Sequence, residues 1–545
     1  MGAQPGAIRS VIVRFPSAVA AFVVALAATA AGAGDVPGKA ASASVQSQSD
    51  DAPAAQVQRS EDSLKHLFAL RERFAVDRHR PCYHFLPPAA WMNDPNGAIF
   101  WKGRYHVFYQ HNPGGAYWRW IQWGHASSAD LVHWVHHPIA LSPTPGGPDR
   151  DGCFSGGAVV AGGVPTLLYH GVPDGTCLAT SRDDLLVRWT KHPANPVITP
   201  KKVRGDFAVY DPCAWKQGDT WYALCGRVDP AGGDTAFLFR SKDLVAWEYL
   251  HPFYKSLRRW TDADEDCAVP DFFPLGDKHV LVFASHKRGG QYYVGRYADD
   301  RFVPEGHGRL NWPGGSLIAP ISMLDGKGWR ILFAWVNEQY REERSRIAGW
   351  AGTLTLPRLL ALDAHGRLLF EPAPELAVLR MDHRRAADTA LAADAETTLA
   401  GIQGDALEIA LEMESAGAVE YGLKVRCSPD GAEQTVIGFS PGEKALKVDV
   451  RRASLDPDAI PLAFPAADKS VRVQSAPLEL APGEPLRLRL FLDRSILEVY
   501  ANGRQCVTQR IYPSRADSLQ VRLFSRGGPS IARRIEAWPM APAHD

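Results

Sequence analysis

The first thing this 545-residue chain lacks is net charge: 60 acidic residues balance 60 basic ones. Proteins whose main partner is nucleic acid or an anionic membrane surface carry a basic excess, so the balance argues against both. A long apolar run is also missing. The nearest approach, Ala18 to Leu26, follows Arg9 and Arg14 and fades into small residues ending Ala31-Gly32-Ala33. It is too short and too Ala-rich for a membrane span. Its order of charge, apolar stretch and small-x-small site predicts a signal peptide over residues 1–33, and hence a secreted or periplasmic protein free of the membrane after cleavage. Metal-ligand spacing is absent too. The eight cysteines, at 82, 153, 177, 213, 225, 267, 427 and 506, include no C-x-x-C pair, so no zinc site, other metal or cofactor is expected. In an exported chain they can form disulfides, but a domain this large needs no staples. Buried free thiols, with one or two bridges at most, are the expectation.

What is present is length, aromatic residues and repetition. The length predicts two domains. Residues 34–60 are Ala, Ser, Gln and Asp without periodicity and read as a flexible linker. After it, Ser128-Ala129-Asp130-Leu131-Val132-His133-Trp134 returns as Ser181 to Trp189, and again as Ser241-Lys242-Asp243-Leu244-Val245-Ala246-Trp247. A weaker relative, Tyr297 to Phe302, falls where a fourth copy belongs. A second element, a turn feeding an aromatic-rich apolar strand, occurs five times, at Gly103–Tyr109, Val164–Tyr169, Asp219–Leu224, Lys278–Phe283 and Gly328–Phe333. Five such units of several short strands each predict an all-β chain beginning with a five-bladed β-propeller, over 61–370. A connecting segment follows at 371–388. From 389 to 545 period-2 strands, such as Leu486 to Leu492 and Ile496 to Tyr500, with an Asn502-Gly503 turn, predict a β-sandwich.

Carboxylates recur just ahead of these strands. Asp94 lies in Trp91-Met92-Asn93-Asp94-Pro95-Asn96-Gly97, where Pro95 fixes φ and Asn96-Gly97 suits a turn. Asp151-Gly152-Cys153-Phe154-Ser155 precedes the second strand, Tyr210-Asp211-Pro212 the third, and Glu265-Asp266-Cys267-Ala268-Val269-Pro270-Asp271 the fourth. The innermost strands of a propeller line one channel, so acids from blades 1, 3 and 4 are expected to converge. Two carboxylates about 5 Å apart across a glycosidic bond equip a retaining glycosidase. Repulsion and partial burial are expected to keep the proton on the acid, while hydrogen bonds keep the nucleophile ionised.

The strings around Asp94, Asp211 and Pro270-Asp271-Phe272-Phe273, together with Phe108-Tyr109-Gln110-His111-Asn112-Pro113, Trp123-Gly124-His125, Gly349 to Gly352 and Leu492 to Gly503, resemble glycoside hydrolase family 32, the invertase, inulinase and levanase family. The resemblance covers residues 80 to 540. It implies a secreted retaining hydrolase of β-fructofuranosidic bonds in sucrose or a fructan such as inulin or levan. It also implies Asp94 as nucleophile, Asp211 as stabiliser of the transition state, and Asn93, Gln110, Trp118, Trp123, Phe154, Ser155 and Tyr210 as substrate-binding residues. Asp493 and Glu498, inside the C-terminal resemblance, are expected to be structural.

The chain departs from the family pattern twice. Tyr210 stands where an arginine normally precedes Asp211. The usual Glu-Cys-Pro-Asp becomes Glu265-Asp266-Cys267-Ala268-Val269-Pro270-Asp271. Alignment on Cys267 puts Asp266 in the acid/base slot, whereas a local insertion puts Glu265 there. Glu265 is preferred for its residue type and longer reach, with Asp266 the alternative. Other readings stay open: a fructosyltransferase, an arabinan-type furanosidase, or a non-catalytic carbohydrate-binding propeller.

Overall fold

The repeated Ser-Asp-Leu-Trp string is a turn, and its chemistry explains its recurrence. Asp130 Oδ1 accepts the backbone N–H groups of Val132 (3.0 Å) and His133 (2.8 Å), while Trp134 Nε1 donates to Leu131 O (3.1 Å). Asp243 and Trp247 repeat these bonds, and Asp183 and Trp189 do so around a turn longer by two residues. Leu131, Leu186 and Leu244 all have positive φ (67°, 55° and 68°), a conformation the side-chain caps hold in place. Each turn joins the third and fourth strands of a sheet. In the fourth sheet Asp299 and Asp300 take over with φ 50° and 59°, closing a tight hairpin.

A computed structural model describes residues 53–229, 231–338, 342–459 and 470–544. Among them, five antiparallel sheets follow one another in sequence as the blades of a propeller. Their innermost strands are Ala90–Trp101, Gly152–Ala161, Tyr210–Gln217, Ala268–Leu275 and Leu317–Leu324. Trp350–Ala351, which follows the second strand of blade 5, runs parallel to the start of Ala90–Trp101 in blade 1. Beyond a 3-10 turn at Pro374–Leu379, a seven-stranded and a six-stranded sheet enclose a Leu/Val/Ile core as a β-sandwich. Asn502 and Gly503, with φ 49° and 66°, turn the hairpin between Ile496–Ala501 and Gln505–Arg510.

Asp493 and Glu498 are fully buried, as their expected structural role requires. Asp493 accepts the N–H groups of Cys82, Tyr83 and His84, and His84 Nδ1 at 2.9 Å. Glu498 accepts Leu356 N–H at 2.9 Å and Arg358 Nη2 at 3.0 Å. Burial opposes both charges, yet His84 (for Asp493) and Arg358 (for Glu498) hold each carboxyl down to about 2. The pair pins the segment before blade 1 and a blade 5 strand to the sandwich.

One expectation needs correction. The stretch read as linker to residue 60 is helical from Pro53, in the helix Pro53–Phe74, whose Leu67 packs on Ala89 and Ala90. Proline suits a first helical turn, and Ala, Gln, Glu, Leu and Arg supply helix propensity that a composition reading overlooks. The predicted signal peptide and residues 34–52 lie outside the described residues. All eight cysteines are free thiols, seven of them buried, with no bridge among them.

Candidate active site

Each innermost strand breaks register at the same place. Two residues oppose one on the neighbouring strand: Asn93-Asp94 against Gln110, Phe154-Ser155 against His170, Asp211-Pro212 against Cys225, Val269-Pro270 against Phe283, and Ala319-Pro320 against Ala334. Such bulges re-aim side chains. Asp211, Val269 and Ala319 adopt positive φ (51°, 43° and 53°), each immediately before a proline. For β-branched Val269 this is a strained conformation. Blades 1 and 3 therefore present a carboxylate, blade 2 a hydroxyl, and blades 4 and 5 only aliphatic side chains. Beneath them the channel is lined by Pro95, Gly156, Pro212, Pro270 and Pro320.

Asp94 is half-buried and richly bonded. Ser155 Oγ donates to its Oδ2 at 2.5 Å, Gln110 Nε2 to the same oxygen at 3.4 Å, and Asn93 Nδ2 to Oδ1 at 3.3 Å. Gln110 is itself tied to Asn93 (2.8 Å) and Ser155 (2.6 Å). Burial pushes the Asp94 carboxyl up from 3.8, while Ser155, Asn93 and the charge of His286 pull against it. Asp211 is raised to about 7, from burial first and then repulsion from Asp94 and Asp266, with His286 and the Val269 N–H opposing. A carboxyl that shares a dry channel with another anion is costly to ionise.

On blade 4 the structure separates the two adjacent acids, since successive side chains of an extended segment point to opposite sides. Glu265 is fully buried. Its carboxylate turns back to accept Asp262 N–H at 2.9 Å, takes Gln291 Nε2 at 2.5 Å and lies 3.9 Å from Arg309. Gln291 continues to His307 at 2.8 Å. Asp266 instead bonds His286, accepting its backbone N–H at 2.8 Å and its Nδ1 at 2.6 Å. The imidazole is raised to about 9 by the Asp266 hydrogen bond, against burial, with further support from the charges of Asp266, Asp211 and Asp94. Glu265, preferred over Asp266 from the sequence, is thus placed inside the blade. Its longer side chain is spent inside the blade, and Asp266 with His286 joins Asp94 and Asp211.

The remaining sequence candidates divide by depth. Trp118 (54% exposed) and Tyr210 (48%) stand open at the mouth. Phe154 meets Trp118 edge-on at 5.7 Å, and Tyr210 meets His170 edge-on at 4.8 Å. Asn93, Gln110 and Ser155 are buried and act on Asp94. Trp123, expected to bind substrate, is fully buried against Phe108 and Tyr169 and donates from Nε1 to Phe154 O at 3.0 Å. Its hydrogen bond to Phe154 O holds the blade 2 bulge. Sequence reasoning missed His286 and His170. The one available signal for His286 was a polar Ser285-His286-Lys287-Arg288 run at the end of the fourth repeated strand. Among the described residues no cluster of His, Cys, Asp and Glu is arranged to hold a metal.

The profile of the glycosyl hydrolases family 32 N-terminal domain matches residues 84–372, and that of the family 32 C-terminal domain matches 375–539. Sucrose-6-phosphate hydrolase of Escherichia coli is 31% identical over 84% of this chain and 94% of its own length. Among solved structures, fructan 1-exohydrolase IIa of Cichorium intybus superposes with a TM-score of 0.76 at 27% identity, over 86% of this chain and 99% of its own. A β-fructofuranosidase of Bombyx mori, a mutant in complex with sucrose, superposes with a TM-score of 0.70 at 27% identity, over 90% and 99% of the two chains.

Proposed function

Because the chain belongs to glycosyl hydrolase family 32, as a glycoside hydrolase of the fructofuranosidase type, we propose that it cleaves the β-fructofuranosidic bond of sucrose through a covalent fructosyl-enzyme intermediate. The observation that supports this reading is that Asp94, Asp211, Asp266 and His286 lie within electrostatic range of one another, although they come from three blades. Asp94 is held by Ser155, Gln110 and Asn93 with its attacking oxygen fixed. It attacks the anomeric carbon as positive charge develops on the ring. Asp211 sits close enough for mutual repulsion with Asp94, and steadies the sugar hydroxyls in the transition state. The leaving oxygen takes its proton from the blade 4 side. Water then enters, loses a proton to the same side and releases fructose with retention.

Sucrose is supported by the names of relatives and by the sucrose-bound neighbour of similar fold; the fructan exohydrolase of chicory supports short fructans as further substrates. Trp118 and Tyr210 offer the stacking surface for the sugar beyond the fructosyl unit. Tyr210 replaces a cation with a neutral ring, so recognition next to Asp211 leans on stacking and on a hydroxyl. We also infer export, from residues 1–33. The test is fructose release by Asp94→Asn. A fall of more than about 1,000-fold with the fold intact supports the reading, and an unchanged rate overturns it. A panel of sucrose, raffinose, inulin and levan then ranks the substrates.

A further inference from the structure

We propose that His286 is the proton donor and acceptor of this site, and that Asp266 serves as its positioning carboxylate. The inference rests on the reading of Asp94 as nucleophile and assigns the one role that reading leaves to blade 4. The two-residue bulge that carries Asp94 in blade 1 and Asp211 in blade 3 is Val269-Pro270 in blade 4, so no acid comes from the strand's bulge itself. Glu265 is buried and bound to Gln291 and Asp262 N–H.

Asp266 is present but occupied. Both of its oxygens accept protons from His286, one from the backbone N–H and one from Nδ1. Both oxygens are thereby committed as hydrogen-bond acceptors to His286. The same bond fixes the ring and its tautomer, which leaves Nε2–H as the pair's transferable proton. The ring is 69% exposed, so a leaving group can reach it, and it lies within electrostatic range of both Asp94 and Asp211. Its neighbours in sequence are engaged elsewhere: Lys287 faces Asp264 at 3.9 Å and Arg288 faces Asp262 at 3.2 Å. The groups facing the imidazole are therefore the carboxyls of Asp266, Asp211 and Asp94, and the Asp266 hydrogen bond does most to favour its charged form.

The step balances without any further reactant. An Asp94 oxygen forms a bond to the anomeric carbon as that carbon's bond to the leaving oxygen breaks. The electron pair passes to the leaving oxygen, which takes the proton from His286 Nε2. The imidazole, now neutral, removes a proton from water as the water oxygen attacks the anomeric carbon and Asp94 departs. His286 is then charged again.

The experiment compares wild type, His286→Gln and Asp266→Asn on sucrose and on an aryl β-fructofuranoside, whose good leaving group needs no proton. For His286→Gln, kcat/KM on sucrose is expected to fall about 100-fold or more, while the aryl substrate loses under about 10-fold in the fructosylation step. The wild-type kcat/KM should decline on an alkaline limb between 6.5 and about 9, the ordinary and raised values of this imidazole, and His286→Gln should lack that limb. Asp266→Asn should retain more activity than His286→Gln, with its limb moved to lower pH. Sucrose turnover by His286→Gln within about 3-fold of wild type overturns the proposal. So does an unmoved alkaline limb in that variant, or greater damage from Asp266→Asn than from His286→Gln. If Asp94→Asn still releases fructose, the underlying reading fails instead; a dead Asp94→Asn beside an active His286→Gln sinks only the assignment of His286.

Discussion

Asp266 binds His286 at two points, accepting its backbone N–H at 2.8 Å and its ring Nδ1 at 2.6 Å. That contact places a cation among the carboxylates of a channel in which the fourth and fifth bulges offer only aliphatic side chains. It also gives Asp211 a nearby positive charge on a chain where Tyr210 stands in place of a cationic neighbour.

Ser155 sets the ionisation of Asp94. Its hydroxyl donates at 2.5 Å to the carboxylate and favours the charged form. Ser155→Ala removes that bond and moves the Asp94 carboxyl further upward. A hydrogen bond to a charged group contributes about 1.5–3 kcal/mol, so kcat/KM is expected to fall about 10- to 100-fold. The acid limb of the pH profile should shift to higher pH, because more alkali is needed to ionise the nucleophile. Initial rates on sucrose across pH check both effects.

Glu265 affects stability in a way that Asp266 does not. Glu265→Ala leaves Gln291 Nε2 and Asp262 N–H without their buried partner, and each orphaned group costs about 1–3 kcal/mol. Glu265→Gln preserves an acceptor oxygen and should cost less. Denaturant midpoints of the two variants test the ranking; equal midpoints would contradict the buried placement.

Acid destabilises the fold well before the carboxylates of the sandwich protonate. His106, His111 and His170 are buried, and burial lowers them to about 3, 4 and 4. His125, stacked 4.3 Å from Phe108, is lowered as well. These rings are neutral in the fold and take up protons near 6.5 when it unfolds. Their contribution is full above pH 6.5 and lost as pH falls toward 4, at about 1.4 kcal/mol per pH unit for each proton bound. Asp493 and Glu498, held at about 2, add their loss below the ordinary carboxyl range. Chemical denaturation at stepped pH should show the decline beginning near 6.5.

The architecture was legible because a propeller repeats its turn chemistry: an aspartate cap, a leucine at positive φ and a tryptophan bonded to that leucine recur in three blades. Asp94 and Asp211 were legible because each lies in a motif that resembles the family's and precedes a repeated strand. The blade 4 acid was not, since two neighbouring carboxylates look equivalent in sequence and part only when the backbone sends one inward and the other to the channel. The burial of Trp123 was not legible for a related reason, as a motif position says nothing about depth. His286 had no motif at all; its importance comes from the partner it meets 20 residues earlier in the chain.

The most direct test of the account is the stereochemistry of transfer to methanol. The enzyme would turn over sucrose in buffer containing methanol, with the first-formed methyl fructoside identified by proton NMR before any equilibration. A covalent intermediate on Asp94 displaces the leaving sugar once and the methanol displaces Asp94 in turn, so methyl β-fructofuranoside is the predicted product. Methyl α-fructofuranoside at first turnover would mean a single direct displacement, and would contradict the assignment of Asp94.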